Sequence, residues 1–345
     1  MSAYLRVPRA FSLAVFSVLV LATVALVALV GCGSDEASGG EVREVTFMAG
    51  FRAQANLPFV AVYVADAEGF FADEGLEVEI QHSSGQDEHL KLLLDGEVDF
   101  ITGTAAQAVR RVQEGLPVQA IALFGQRGDQ GYVSLADSGI ETPADFAGRT
   151  VGFKAGVVPA ELHALLAEAS LTVDDVELLG VGFDPRVFME GGVDVYPVFL
   201  NNEPDTIRNA GVEINVIDPH EFGVPTLGLT FLATNDTLED DDLAERFLRA
   251  TFRAVHWIAE HPDEAVEITL RHAEGADAAH QRYLLDTDLA AAQREDGRIG
   301  LSDAAAWQAL IELLVQYEVI PSAVEVEEVV DQSVLEQLYE DEVFE

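Results

Sequence analysis

A short pattern that occurs twice constrains the fold of this chain more than any other feature. Residues 95–100 read DGEVDF and residues 190–195 read EGGVDV, and in both places a helical pattern ends at a glycine and a β-rich run follows at once. The upstream segments match as well, because residues 84–88 (SGQDE) and 155–159 (AGVVP) both place a glycine turn between a predicted strand and a predicted helix. The repetition predicts two lobes of similar βαβ construction.

Short β-rich runs alternate with helical patterns from residue 45 onward, which predicts an α/β fold with largely parallel strands and helices on both faces. The predicted strands of the first part are residues 45–50, 77–81, 98–102 and 118–124. The predicted helices are residues 59–71, 87–94 and 105–114, followed in the last third by 243–261, 265–272, 278–292 and 302–317. Apolar residues recur at helical spacing in that last third, which predicts core packing and no chemistry there.

Ligands bind beyond the carboxyl ends of the strands in open α/β sheets. The loops that follow the two repeated strands are residues 102–104 and 200–204. We therefore expect these loops to face each other across a cleft.

The charge of the chain limits what it can bind. Its 345 residues include 61 acidic and 19 basic side chains, a formal charge of −42, and only two lysines, Lys91 and Lys154. This composition excludes a nucleic-acid binder, which needs a concentrated basic surface. Hydrophobic residues make up 49% of the chain, which is enough for a folded core. The length exceeds that of most single cores and favours two lobes.

The N-terminal segment predicts secretion and a lipid anchor. Arg6 and Arg9 precede an apolar stretch over residues 11–30, and length alone fits either a secretion signal or a membrane anchor. The next residues, LVGC at 29–32, resemble the lipobox of bacterial lipoproteins, in which the cysteine is diacylated and becomes the new N-terminus. We expect a signal peptide over 1–31, a lipidated Cys32, a flexible tether over 32–44 and a place on the extracytoplasmic face of the cell membrane.

Cys32 is the only cysteine, so disulfides, thiolate metal sites and a catalytic cysteine are excluded from the folded part. The alternative for Cys32 is a buried free thiol. Removal of the first 31 residues would leave 17 basic against 61 acidic groups, or −44. A net field of this sign repels an anionic solute and is neutral toward an uncharged one.

Two longer segments resemble a known family. Residues 62–78 (VYVADAEGFFADEGLEV) and 137–152 (DSGIETPADFAGRTVG) are similar to extracytoplasmic solute-binding proteins related to the thiamine-pyrimidine synthase family, and the resemblance extends over about residues 45–261. It implies a type II periplasmic-binding-protein fold with crossings near Asp137 and Leu227. Lobe 1 would then comprise residues 45–137 and 228–345, and lobe 2 residues 138–227.

The same resemblance implies delivery of a small molecule to an ABC permease and its ATPase. Within the superfamily, the chain is more similar to the riboflavin-binding lipoproteins, through residues 47–51, 54–59, 125–132, 182–186 and 202–206. The Asn-Glu-Pro element at 202–204 also resembles that of pyrimidine binders. The implied ligand is a neutral heteroaromatic, riboflavin first, with the formylated aminopyrimidine precursor of thiamine as the alternative and a sulfonate or nitrate as a further one.

A flavin needs aromatic faces for stacking and a few placed polar groups. The aromatic candidates at the predicted cleft are Phe51, Phe59, Tyr132, Tyr196 and Phe199. The polar candidates are Gln54, Asn56, Thr102, Thr104, Gln126, Asn202 and Glu203. Each of these residues also has an ordinary structural interpretation: core packing for the aromatic ones and a helix start for residues 202–204. Arg127 and Arg186 could pair with Asp129 and Asp184.

The alternative class is an enzyme, since fungal relatives that build the thiamine pyrimidine share the implied fold. They use a cysteine-rich motif, a lysine that holds pyridoxal phosphate and a histidine, and the folded part of this chain has no cysteine. Lys154 alone is weak support for a cofactor site. The eight histidines show no metal-ligand spacing, and no phosphate-binding glycine loop follows a strand. We therefore expect a binding protein without catalytic residues, cofactor or metal.

Overall fold

The computed structural model describes residues 42–344 with the exception of 86, 155 and 157. These residues belong to one compact unit. The predicted signal peptide, Cys32 and nearly all of the predicted tether lie outside the described residues. Among the helices described, none has the length and apolar character needed to cross a membrane.

The strands form two five-stranded sheets with the same plan. The first sheet has the order β2-β1-β3-β10-β4 and the second the order β7-β6-β8-β5-β9. The strands of the first are β1 (Arg43–Ala49), β2 (Leu76–His82), β3 (Phe100–Thr104), β4 (Val118–Leu123) and β10 (Leu229–Thr234). Those of the second are β5 (Gln130–Leu135), β6 (Thr150–Phe153), β7 (Glu177–Gly180), β8 (Val195–Phe199) and β9 (Ile214–Ile217). In each sheet, the first three strands in this order are parallel, and the fourth runs antiparallel to both of its neighbours.

The helices cover the sheets and form most of the C-terminal part. Up to the return to the first sheet they are α1 (Leu57–Ala67), α2 (Phe70–Asp73), α3 (Glu88–Leu94), α4 (Ala105–Gln113), α5 (Ala160–Glu168), α6 (Arg186–Met189) and α7 (Glu203–Asn209). After it they are α8 (Asn235–Leu238), α9 (Asp241–Glu260), α10 (Pro262–His272), α11 (Ala278–Ala292), α12 (Ala304–Gln316), α13 (Val326–Val329) and α14 (Ser333–Glu340). Short 3₁₀ turns lie at Pro143–Phe146, Val173–Asp175 and Pro219–Phe222.

The repeated sequence pattern corresponds to a repeated structural unit. Asp99 precedes β3, and its Oδ2 accepts the N–H of Thr46 at 2.7 Å while its own N–H donates to the Thr46 carbonyl at 2.9 Å. Asp194 precedes β8 and makes the same pair of bonds with Thr150, at 2.8 and 3.0 Å. The two aspartates therefore fix the start of each central strand against its parallel neighbour, which confirms two lobes built alike.

The first crossing between the sheets lies earlier than the sequence suggests. It was expected near Asp137, but β5 at Gln130–Leu135 already pairs with β8 and β9 of the second sheet. The chain therefore leaves the first sheet between Leu123 and Gln130. The cause is that no strand was predicted over residues 130–135, so the start of the second sheet was not recognised. β10 begins at Leu229, next to the expected second crossing at Leu227.

The core of the first lobe is rich in phenylalanine. Phe100 and Phe247 stack with ring centroids 4.1 Å apart, and Phe47 contacts both Phe231 and Phe247. A second apolar cluster continues from the other face of the first sheet through α12 into the second lobe, where it includes Phe146 and Leu165. Burial on this scale provides the main stabilisation of the fold.

Candidate functional site

The candidate site lies where the two crossing segments meet α11 and the loop after β8. A cavity of about 30 Å³ is found there, lined by residues of segments 124–129 and 228–229, by Leu200 and Asn201, and by Asp288 of α11. A drug-sized ligand needs a pocket of about 300 Å³ or more. The cavity is therefore too small, as it stands, to enclose a ligand of that size.

Asp288 is the most connected polar side chain of this cavity. Its Oδ2 accepts the backbone N–H of Leu57 at 3.0 Å and the Asn56 amide at 3.1 Å, both from the start of α1 in the first lobe. Its Oδ1 accepts the Asn201 amide of the second lobe at 2.7 Å. One carboxylate thus joins the two lobes through three hydrogen bonds.

The first turns of α1 and α7 resemble each other in an unusual respect. Asn56 and Asn202 occupy the N-cap positions, each helix has a proline in its first turn, and neither asparagine caps its helix with its side chain. The Asn56 amide instead contacts Gln54 and Asp288. The Asn202 Oδ1 lies 2.9 Å from Nε2 of His280 in α11. Both side chains are therefore directed toward α11 rather than toward their own helices.

A buried ion pair lies on the second-lobe side. Lys154 Nζ donates to Glu203 Oε1 at 2.5 Å, and Glu203 Oε2 accepts the backbone N–H of Phe199 at 2.7 Å. The ammonium also lies 5.0–5.3 Å from the ring centroids of Phe199, Tyr196 and Phe183, which is within the range of cation–π attraction. This arrangement places one cation and three aromatic rings together beside the loop that follows β8.

Several carboxyl groups surround the same place, and burial changes how they ionise. Burial, followed by the charge of Asp288, raises the pKa of Asp129 to about 7. Burial also raises the pKa of Asp288, although the bonds from Asn201, Leu57 and Asn56 oppose this shift. The pKa of Glu161 is raised by burial, and burial lowers the pKa of Lys154. Of these groups, the Asp129 carboxyl is therefore partly protonated near neutral pH.

The polar residues predicted for the site have separate positions. Asn56 and Gln54 are hydrogen-bonded to each other at 2.5 Å beside Asp288. Glu203 contacts Lys154, and Asn202 contacts His280. Gln126 donates to the Leu301 carbonyl at 2.9 Å, next to the first crossing. The two threonines have structural roles, since Thr102 Oγ1 accepts the Gly50 N–H and Thr104 caps α4.

The aromatic residues predicted for the site divide into two groups. Phe59 and Tyr132 are buried in the apolar clusters, and Tyr196 is buried with its hydroxyl on the Gly182 carbonyl at 2.9 Å. Of these three, only Tyr196 faces the ammonium of Lys154. Phe199 is partly exposed beside it, and Phe51 is 47% exposed in the loop after β1. The geometry therefore gives Phe59 and Tyr132 core positions.

The two arginines named with the sequence pair with acids. Arg127 donates to Asp218 at 3.2 Å rather than to Asp129, and Arg186 Nε donates to Asp184 at 2.7 Å. Among the residues that the structure describes, no group of three or more histidine, cysteine or acidic side chains is arranged to hold a metal ion.

The sequence reasoning missed three contributors to the site. Lys154 was considered only as a weak cofactor residue, and Asp288 and Phe183 were not named as candidates. Asp288 contacts partners 87 and 232 positions away. A local pattern carries no signal of such distances. Phe183 could have been found, because it lies in segment 182–186, which resembles the riboflavin binders.

The sequence of this chain is similar to those of known proteins. The sequence profile of the NMT1/THI5-like family matches residues 56–265, which is more than half of the chain. The formylaminopyrimidine-binding protein of Halalkalibacterium halodurans is 27% identical over 301 residues, covering 84% of this chain and 90% of the relative. The riboflavin-binding protein RibY of Chloroflexus aurantiacus is 28% identical over 266 residues, covering 73% of this chain and 75% of the relative.

Among solved structures, the periplasmic aliphatic sulphonate binding protein SsuA of Escherichia coli superposes with a TM-score of 0.67 at 14% identity, covering 85% of this chain and 92% of the other. At this identity the likeness concerns the fold, and it agrees with the two sheets and the cleft between them. The chain therefore belongs to the NMT1/THI5-like family and has the α/β, two-lobed fold of the type II periplasmic binding proteins.

Proposed function

We propose that this chain is the solute-binding component of an ABC importer and that its solute is riboflavin. The observation that carries the choice of solute is the cluster of Lys154, Glu203 and three aromatic rings on the second-lobe side. An isoalloxazine combines a flat apolar ring system with a carbonyl-rich edge. Aromatic faces suit the former, and an ammonium with donors to spare suits the latter.

The exposed rings support this reading. Phe183, next to Lys154, is 62% exposed, and Phe51 of the first lobe is 47% exposed. Large apolar side chains with this exposure are candidates for ligand contact when they lie on loops at the carboxyl ends of strands. The loops after β7 and β1 meet that condition.

The formylated aminopyrimidine is the second candidate, and the acidic groups favour it. An exocyclic amino group is a donor, and the carboxyl group of Asp129 offers an acceptor at the cavity. The relative that binds formylaminopyrimidine also aligns over more of this chain than RibY does. Lys154 opposes this candidate only where the pyrimidine is protonated, because an ammonium repels a pyrimidinium cation.

The same acidic groups argue against an anionic solute. A sulfonate or nitrate would enter a cavity lined by Asp129 and Asp288, with Glu161 and Glu203 close to Asp129. Lys154 is already paired with Glu203, and Arg127 with Asp218. Like charges in a site of low dielectric repel each other strongly. We therefore do not propose a sulfonate for this chain, although the fold is shared with sulfonate binders.

The proposed mechanism is capture by closure. Both lobes contact the solute, the closed state is preferred because only it completes the contacts, and that state docks on the permease while a partner ATPase supplies the energy. No catalytic step is assigned to the chain in this proposal. The polar groups of the site serve binding and closure.

We further propose that Cys32, which lies outside the described residues, is lipidated and anchors the protein to the outer face of the cell membrane. Two or more acyl chains on one cysteine suffice for stable anchoring. Cys32→Ala should abolish incorporation of labelled palmitate and release the protein from the membrane fraction, whereas Ser34→Ala should change neither. A labelled Cys32→Ala protein would show that the lipobox was misread.

A thermal-shift comparison tests the choice of solute. Residues 33–345 would be heated alone and with riboflavin, formylaminopyrimidine or an alkanesulfonate, each at about 100 times its expected Kd. Riboflavin should raise the Tm by about 5 °C. A larger shift with the pyrimidine would transfer the assignment to the second candidate. The absence of any Tm shift with riboflavin and with formylaminopyrimidine would refute both candidates.

A further inference from the structure

Helix α11 belongs to the first lobe but contacts the ligand loops of both lobes, which are residues 54–57 at the start of α1 and residues 200–205 after β8. It packs into the core of the first lobe through Leu284 and Leu285. Its polar side chains extend to the loop before α1, where Gln281 Oε1 accepts the Ala55 N–H at 2.7 Å and Asp288 accepts the Leu57 N–H at 3.0 Å. The first ligand loop is thus fixed to α11 at two points.

The same helix holds the second-lobe loop at three points. Tyr283 donates its hydroxyl to the Leu200 carbonyl at 2.9 Å, and Asp288 accepts the Asn201 amide at 2.7 Å. His280 lies 2.7 Å from Asp205 through Nδ1 and 2.9 Å from Asn202 through Nε2. These six contacts, made by four residues of α11, place the helix between the two loops that would close over a solute.

We propose that Asp288 is a positioning residue that couples the two lobes, and that α11 thereby sets the lifetime of the closed, solute-bound state. The inference rests on the proposed function only in that a solute binds in this cleft; it does not depend on which solute that is. Asp288 touches no solute in this account. It fixes Asn56 in one lobe and Asn201 in the other at once.

Asp288 and Asn201 bond to each other across the lobes, and exchange of these two side chains gives a direct test. All three partners of Asp288 are donors, so a carboxylate satisfies them together. In Asp288→Asn, the new NH₂ would face either the NH₂ of Asn201 or the two donors of the first lobe. In Asn201→Asp, two carboxylates would face each other. In the double variant, Asn at 288 can accept from the first lobe and donate to Asp at 201, which restores the bond across the lobes.

The readout is the rate at which bound riboflavin dissociates from the protein, measured by stopped-flow dilution. Each single variant should accelerate dissociation by about tenfold, and the double variant should return to within about threefold of the wild type. Asp286→Asn is the matched control, because Asp286 lies exposed on the same helix and bonds to Arg282. The proposal is wrong if solute dissociates from Asp288→Asn no faster than from Asp286→Asn. It is also wrong if the double variant releases solute as fast as the combined effects of the two single variants predict.

A second readout needs no solute and keeps this inference separate from the choice of riboflavin. Dyes on Glu97→Cys and Glu190→Cys, exposed residues at the corresponding turns of the two lobes, report the distance between the lobes by energy transfer. Residues 33–345 contain no cysteine of their own. Asp288→Asn should lower the transfer efficiency and the double variant should restore it. If Asp288→Asn fails to fold, Asn201→Ala tests the same bond from the other lobe, and unchanged transfer in that variant overturns the proposal.

Discussion

At the scale of single residues, the side chains that define the candidate site are those that serve two purposes. Asn56 occupies a helix start without capping it, and Glu203 begins a helix while it holds Lys154. The sequence identified both as candidates, because they lie in segments that resemble the riboflavin binders and near the predicted cleft. It also named Phe59 and Tyr132, which are buried. An aromatic residue near a strand end reads the same in sequence whether it faces the core or the cleft.

The two lysines of the chain provide a matched test of the solute assignment. Lys154→Met removes the ammonium beside Phe183 and Phe199 and should weaken riboflavin binding by about tenfold or more, while formylaminopyrimidine, which has fewer carbonyl acceptors, should lose less. Lys91→Met alters the only other lysine, which is exposed, and should affect neither. Calorimetric titration of both ligands measures this. Equal losses for the two ligands in Lys154→Met would contradict a role in specificity.

The raised pKa of Asp129 predicts a pH dependence of stability with a definite sign. Its pKa is about 7 in the folded protein and close to 4 when unfolded, so the folded state holds the extra proton between these values. Stability due to this group is therefore present at low pH and is lost as the pH rises through about 7. Asp129→Asn should remove this loss: relative to the wild type, the variant should gain stability progressively between about pH 4 and pH 7, by on the order of 1.4 kcal/mol per pH unit, and gain no more above pH 7.

The measurement for Asp129 is urea unfolding at several pH values, compared between variant and wild type. The difference between the two matters more than either curve, because four histidines with lowered pKa values act in the opposite direction, namely His82, His89, His256 and His272. Asp137→Asn, at an exposed position, serves as the control. A difference that is constant between pH 5 and pH 8 would show that Asp129 carries no extra proton.

At the scale of elements, the pattern of the sequence was most informative where it was periodic or repeated. The helix predicted over residues 278–292 matches α11, and most other helix and strand predictions agree with the structure within a few residues. The crossing at β5 was misplaced because no strand was predicted over residues 130–135. The role of α11 was missed because its contacts join residues that are distant in sequence, and the helix was assigned to the core alone.

The aspartates before β3 and β8 should be equivalent in energetic terms as they are in geometry. Asp99→Ala and Asp194→Ala each remove the acceptor for one backbone N–H and should lower the free energy of unfolding by about 1–2 kcal/mol. Asn at either position keeps an acceptor oxygen and should cost much less. Chemical unfolding of the four variants decides this. An alanine variant as stable as its asparagine counterpart would mean that the carboxylate bond contributes nothing at that strand.

At the scale of the whole molecule, the acidic charge has a specific consequence for function. The −42 of the chain and the carboxyl groups around the cavity act in the same direction, against anions and in favour of a neutral or donor-rich solute. The fold is shared with sulfonate binders, so the fold alone does not select the solute. The class of fold and the family followed from sequence motifs. The choice between riboflavin and formylaminopyrimidine depends on a few side chains that only the folded structure brings together.

The most direct test of the central claim is a fluorescence titration of riboflavin with residues 33–345. If the chain captures riboflavin between its lobes, stacking on the aromatic rings should quench the emission of the flavin, with a Kd of about 1 μM or tighter. Excess formylaminopyrimidine should reverse the quenching only if it enters the same cleft. Undiminished riboflavin emission at protein concentrations up to about 100 μM would contradict the assignment of this vitamin.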